Sequence, residues 1–270
     1  MDPLTLPASL ALFAAAAFAG CIDAIAGGGG LITLPALLAA GLSPAQALGT
    51  NKLQSSFGSF SAAWNFLRRG RVDLGEMAGC AACTFAGAAL GSAVVQRLRA
   101  DFLSALLPFL LVGIAAYFLF SPRVGDVDSH RRMHLRTFSA TAGFGIGFYD
   151  GFFGPGTGSF LALAFVGLLG FNLAKATAHA KLLNFASNLA SLLVFLAGGE
   201  IVWTAGLVMA AGQFAGARLG SNLVMDRGAR LVRPVLVAVS LALTARLLLA
   251  DEAGLVRAAW GRVAALLGGG

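Results

Sequence analysis

Long apolar stretches separated by short polar or glycine-rich breaks run at about residues 4–26, 31–42, 44–67, 74–97 and 101–120, and the rhythm returns at about 135–153, 157–169, 173–197, 201–223 and 230–249. At about 1.5 Å per residue, every stretch but the second of each series is long enough to cross a hydrocarbon layer of about 30 Å as a helix. A membrane β-barrel would instead alternate polar and apolar residues in segments of about ten, which these continuous runs exclude. The pattern predicts an all-α polytopic membrane protein. The second stretch of each series has only 12 or 13 residues, roughly 18 to 20 Å of helix, too little to cross alone. It follows GGGG at 27–30 or GPGTG at 154–158, so we expect a broken or hairpin helix pair with its loop at membrane depth. Non-helical backbone is tolerated there only when buried in protein or lining a wet cavity.

The two series are copies of one unit. Asp23, Gly27 and Gly29 fall opposite Asp150, Gly154 and Gly156 at an offset of 127; after a two-residue gap an offset of 129 pairs Ser43 with Asn172, Lys52 with Lys181, Ser59 with Asn188, Gly87 with Gly216 and Ser92 with Ser221. The expected organisation is a first transmembrane repeat at 1–120, a cytoplasmic linker at 121–134, a second repeat at 135–250 and a tail at 251–270. The tail, with Arg257, Trp260 and Arg262 among apolar residues, suits the membrane interface.

Charge placement sets the orientation. The loop holding Arg68, Arg69 and Arg71 and the linker with Arg131 and Arg132 are basic and so expected on the cytoplasmic side, whereas the corresponding loop of the second copy carries only Glu200. The same loop then faces opposite sides in the two copies, which makes them inverted repeats with broken or short helices at the midplane. The loop with Arg227, Arg230 and Arg233 fits that inversion; the one with Arg97 and Arg99 fits it poorly. Composition agrees with a lipid solvent: 58% of residues are apolar, 11% are charged and mean hydropathy is +0.82, against about 25% charged residues in a soluble domain. The net charge of +7 lies in these loops and makes no nucleic-acid footprint. Cys21, Cys80 and Cys83 lie in apolar runs and imply no disulfide framework. The amino terminus lacks a basic region, so the first stretch is expected to be a permanent span. No P-loop, cofactor signature or metal-ligand spacing occurs, and the oligomeric state is left open.

Candidate chemistry follows from what is rare. Only Asp23 and Asp150, of twelve acidic residues, fall well inside apolar segments, four residues before the glycine breaks in both copies. An ionisable group there costs at least about 2.5 to 3.5 kcal/mol, so it carries either proton coupling or the capping of exposed amides. The chain has sixteen arginines but three lysines, Lys52, Lys175 and Lys181. With Ser43 and Asn172 as expected N-caps, Lys52 and Lys181 come about 12 Å into the membrane, near the midplane. Each heads a polar stripe at helical spacing: Lys52, Ser55 and Ser59 in one copy, Lys181, Asn184, Asn188 and Ser191 in the other. The plainer alternative is a structural ion pair between each lysine and the aspartate of its own unit, with the amides as interhelical glue. Helices starting at Gly28, Gly29 and Gly30 and at Gly156, Thr157 and Gly158 would point unpaired amides and their positive dipole ends toward the lysines, making an anion-binding site.

Other features read as structure. Gly87 and Gly91, with Gly212, Gly216 and Gly220, have the four-residue spacing of close helix packing. Cys80 and Cys83 form a CxxC with no partner to stabilise a thiolate. An intramembrane serine hydrolase using Ser159 and His179 is a second function class, weakened because the other copy has Ile32 and Thr50 at those places. A passive anion channel is a third.

The stretches GCIDAIAGGGGLITLPALLAAGLSPAQALGTNKLQSSFGS and GFYDGFFGPGTGSFLALAFVGLLGFNLAKATAHAKLLNFASNLASL, with the pair AGAALGS and AGARLGS, resemble the TauE/SafE sulfite-exporter family of bacterial and archaeal membrane proteins. The resemblance covers about residues 8 to 250; TNKL after the glycine-rich segment and AKLLNF in the second copy are its most specific elements. It implies a secondary transporter in the cytoplasmic (inner) membrane for a small anion such as sulfite or an organosulfonate, driven by a proton or ion gradient.

Overall fold

The computed structural model describes residues 5–98, 128 and 130–227. The expected spans at 101–120 and 230–249, most of the linker and the tail lie outside the described residues. Among the described residues there is helix and no strand. Helix α1 is Leu6–Ala26, α2 Gly30–Ala39, α3 Pro44–Arg68 and α4 Leu74–Val95. After the linker come α5 (Leu135–Phe138), a π-helical turn (Ser139–Gly143), α6 (Phe144–Phe152), α7 (Thr157–Leu169), α8 (Leu173–Gly198) and α9 (Trp203–Arg227). Helices α1, α4 and α8 are long and apolar enough to cross a membrane; α2 and α7 are the short apolar helices foreseen after each break.

Local chemistry explains the boundaries. Ser43 and Gln46 form a reciprocal capping box at the start of α3, at 3.3 and 3.2 Å, with Pro44 as the first helical residue. Asn172 Oδ1 accepts from the Lys175 amide at 2.9 Å to start α8. The stretch at 135–153, one continuous apolar run in the sequence, is interrupted by the π turn. Ser139 and Thr141 donate their hydroxyls back to the carbonyls of Leu135 and Thr137, bonds that compete with the regular ladder there.

Helices α1 and α9 pack with no room for side chains between them, and α4 and α6 do the same. A Cβ on Gly216 would stand 1.8 Å from Ala17 O and one on Gly220 2.3 Å from Cys21 O; one on Gly87 would stand 2.2 Å from Phe144 O and one on Gly91 2.1 Å from Phe148 O. Ala17 and Phe144, like Cys21 and Phe148, are 127 apart, and Gly87 and Gly216 are 129 apart, so the two interfaces repeat in one register. The first helix of each copy is thus clamped by the fourth segment of the other. Each short helix sits in its own apolar cluster, α2 with Leu31, Leu34, Leu37, Leu48 and Phe195, α7 with Leu161, Phe165, Phe66, Phe138 and Leu173. Large apolar side chains such as Leu6, Phe18, Leu74 and Leu219 remain exposed on the outside, as lipid-facing positions would be.

Helices α3 and α8 cross the middle in opposite directions. The Glu200 carbonyl after α8 lies against Gly49 in the first turns of α3, whereas Arg71 after α3 and Lys175 in the first turn of α8 line one cavity. Asp128 of the linker accepts from the Asn172 amide and side chain at 2.6 and 2.9 Å, and the Arg132 amide donates to Leu168 O at 3.0 Å. The basic 68–71 loop and the described linker residues Asp128 and Arg132 therefore share one end of the α3–α8 pair, and Gly199 and Glu200 occupy the other.

Candidate functional site

Helix α1 ends where Gly27 takes φ +79°, a conformation only glycine adopts at little cost. Its counterpart Gly154 has φ +103° and Gly156 +85°. The two breaks abut: a Cβ on Gly27 would be 2.3 Å from Ser159 N, one on Gly158 2.8 Å from Gly27 Cα, and one on Gly30 3.1 Å from Pro155 Cα. Ser159 ties them together by donating its hydroxyl to Ala26 O and, at 3.0 Å, to Gly27 O.

Helices α3 and α8 bring their lysines to these breaks, and both are 1% exposed. Lys52 Nζ donates to Asp150 Oδ1 at 2.8 Å and to the backbone carbonyl of the same residue; Lys181 Nζ donates to Asp23 Oδ2 at 2.8 Å. The plainer alternative, an ion pair within each unit, is corrected in its partners: both pairs cross between copies. The physical reason is that the two breaks abut, which brings Lys52 against the break of the other copy and Lys181 against its own break where that meets the other: Lys52 Nζ would stand 2.8 Å from a Cβ on Gly154 and Lys181 Nζ 2.9 Å from one on Gly158. Ion pairs this deep are retained because each charge without its partner is far more costly. Both aspartates also cap their breaks. Asp23 Oδ1 accepts from the Gly29 amide at 3.2 Å; Asp150 Oδ1 accepts from Thr157 Oγ1 at 3.1 Å, and Asp150 Oδ2 from Asn184 Nδ2 at 3.4 Å and from the Ser187 hydroxyl.

Between the pairs lies a polar cavity of about 20 Å³, lined by Asp23, Gly30, Asn51, Ser55, Asp150, Gly154, Gly156, Thr157, Gly158, Asn184 and Asn188. That volume suits a water molecule. Most expected site residues thus meet at one place. Gly28 and Gly29 act at one remove, through carbonyls that accept from Leu31, Ile32 and Thr33 amides to open α2. Ser59 does not reach the cavity; its buried hydroxyl bonds back to the Ser55 and Ser56 carbonyls. Two contributors were missed. Asn51 lines the cavity and accepts from Thr33 Oγ1 and Gln54 Nε2, each at 2.7 Å, and Ser187 bonds Asp150. Opposite them the other copy has Ala180 and Gly58, so the repeat marks neither position.

The hydrolase pairing finds no geometry here. The Ser159 hydroxyl is committed to two backbone carbonyls, while His179 Nδ1 lies 2.8 Å from Lys175 O and its ring packs on Phe165 and Phe171.

Helix breaks that meet, with buried charges paired across two sequence copies, define a polytopic helical membrane protein built around a buried polar centre. The profile described as Sulfite exporter TauE/SafE matches residues 12–247, and the chain belongs to that family. It is 55% identical over 237 residues to the "Probable membrane transporter protein YfcA" of Escherichia coli strain K12, covering 88% of both chains. It is 54% identical to the "Probable membrane transporter protein ORF9" of a Sinorhizobium species, covering 88% of this chain and 91% of the relative. Identity to a "Probable membrane transporter protein" of Haemophilus influenzae is 50%, covering 87% and 92%. No solved structure matches the chain. Family and relatives make this a multi-pass membrane transporter.

Proposed function

We propose that the chain is a secondary transporter that carries a small oxyanion, of the class of sulfite or an organosulfonate, across the inner membrane of a bacterium or archaeon, coupled to protons or another ion. The observation that carries this reading is the crossing of both lysine–aspartate pairs between copies at the glycine breaks. A lysine ammonium beside the N-terminus of a short helix is the chemistry that takes an anion, and here a carboxylate holds its place. The cavity is too small for an oxyanion, so loading requires a pair to open and the breaks to part. An anion that takes a lysine leaves a carboxylate without its counter-charge at membrane depth, and a proton relieves that cost of at least about 2.5 to 3.5 kcal/mol. Asp23 and Asp150 are the two candidate coupling groups on this reading. Lys52, Lys181, Ser55, Asn184 and Asn188 are the candidates for substrate binding, with Gly30, Gly156 and Gly158 of the breaks lining the cavity.

The repeated α1–α9 and α4–α6 interfaces support an inverted duplication whose copies rock about this centre. Closure of the centre by charge pairs favours such a carrier over an open channel. The test is a thermal-shift screen of purified protein with sulfite, sulfate, thiosulfate, sulfoacetate, taurine and simple carboxylates. A ligand that binds only the folded form raises the melting temperature with concentration. Stabilisation by one or more of the sulfur oxyanions or sulfonates and not by simple carboxylates is expected; a flat response to every anion refutes the proposal.

A further inference from the structure

The two crossed pairs share a register but not an environment. Asp150, its side chain 2% exposed, collects four side-chain donors: Lys52, Thr157, Asn184 and Ser187. Lys52 in turn is held twice, by the carboxylate and by the backbone carbonyl of Asp150. Asp23 has a side chain 21% exposed and faces the cavity with one side-chain donor, Lys181, and one amide, Gly29. The duplication shows why. The positions opposite Thr157 and Ser187 are Gly30 and Gly58, which have no side chain to give, and Ser55 opposite Asn184 makes no side-chain bond to Asp23. Lys181 Nζ also stands where a Cβ on Gly158 would be 2.9 Å away, against the first turn of α7, whose Thr157, Ser159 and Phe160 amides donate to the Gly154 and Gly156 carbonyls.

Resting on the reading that this cavity is the anion site, we propose that the pairs have different tasks. Lys52–Asp150 is a fixed clasp that holds the copies together, and Lys181 is the lysine that leaves its carboxylate to take the oxyanion, at the N-terminus of α7. Both carboxylates line the cavity, but opening the clasp breaks two bonds of Lys52, to the carboxylate and to the carbonyl of Asp150, and leaves Asp150 with its other three donors, whereas opening the other pair frees Lys181 from a single acceptor. While paired, Lys181 is withheld from the anion, so the pair lowers apparent affinity by the fraction of time it is closed.

The two pairs therefore answer opposite ways to loss of their carboxylate. In sulfite binding by the purified full chain, Asp23→Asn removes the competitor for Lys181 and tightens the apparent Kd by about tenfold or more. Lys181→Gln abolishes binding. Asp150→Asn lowers the melting temperature without tightening sulfite binding. Equal tightening in Asp23→Asn and Asp150→Asn overturns the division of tasks while leaving the anion site intact. Wild-type protein that shows no sulfite binding, or Lys181→Gln that binds like wild type, overturns the site itself. If Asp150→Asn does not fold, Ser187→Ala replaces it: this variant removes one donor from Asp150 and keeps its charge, so it melts lower with a sulfite Kd within about twofold of wild type. Tightening in Ser187→Ala that matches Asp23→Asn overturns the proposal.

Discussion

Replacing Gly216 by alanine puts a methyl carbon 1.8 Å from Ala17 O, and both atoms belong to helices with no freedom to yield separately. Carbon and carbonyl oxygen meet at about 3.3 Å, so α1 and α9 must part by roughly 1.5 Å at that level. A gap of even 0.5 to 1 Å forfeits about a quarter to a half of each dispersion contact along the seam. Overpacking of this kind costs about 1 to 3 kcal/mol, and a clash with backbone belongs at the upper end. Gly87→Ala, at 2.2 Å from Phe144 O, should cost a similar amount because it strikes the equivalent seam. Gly79 and Gly145 are the controls, helical glycines with nothing within 4 Å of the added carbon; alanine there should be neutral or gain up to about 1 kcal/mol from helix propensity. Thermal unfolding of purified variants in one detergent gives the comparison. Melting of Gly216→Ala and Gly87→Ala at or above the wild-type temperature, alongside unchanged controls, would refute the close-packed seams and the register that relates them.

Other outcomes follow from the same geometry. Reporter fusions at Gly70 and Gly199 should report opposite sides of the membrane, since these loops occupy opposite ends of the α3–α8 pair; the same answer from both sinks the inverted arrangement. Ser159→Ala leaves the Ala26 and Gly27 carbonyls without their donor and should cost about 1 to 3 kcal/mol in a melt; unchanged stability would mean that this bond does not join the breaks. Lys52→Gln strands a buried Asp150 carboxylate and should destabilise by about 3 to 5 kcal/mol, with Lys52→Gln/Asp150→Asn recovering part of the loss. A double variant no more stable than the single one argues against the clasp.

Much of this architecture is written in the hydropathy pattern because lipid imposes simple rules on length and polarity. The breaks after Ala26 and Phe152 and the short helices beyond them follow from glycine runs at membrane depth, and the caps at Ser43 and Asn172 fall where they were expected. The π turn at Ser139–Gly143 was hidden, because hydroxyls that bond back along a helix leave its apolar pattern unchanged. Lys52, Lys181, Asp23 and Asp150 stand out in the sequence by rarity and by repetition. Their partners do not, since spacing within a copy says nothing about which copy's carboxylate lies across the interface. The same limit hid Ser187 and Asn51: each belongs to one copy only, and Ser187, with Thr157 and Asn184, gives Asp150 donors that Asp23 lacks.

On the proposed reading, Lys181 and the carboxylates around this cavity convert an ion gradient into anion movement. The most direct test is uptake of labelled sulfite into proteoliposomes across an imposed pH gradient, with empty liposomes as the baseline. Wild-type protein should accumulate sulfite saturably above the external concentration, and Lys181→Gln should not. Asp23→Asn should exchange sulfite without pH-driven accumulation. Sulfite that merely equilibrates in wild-type vesicles whatever the gradient, or accumulation by Lys181→Gln equal to wild type, would contradict that reading.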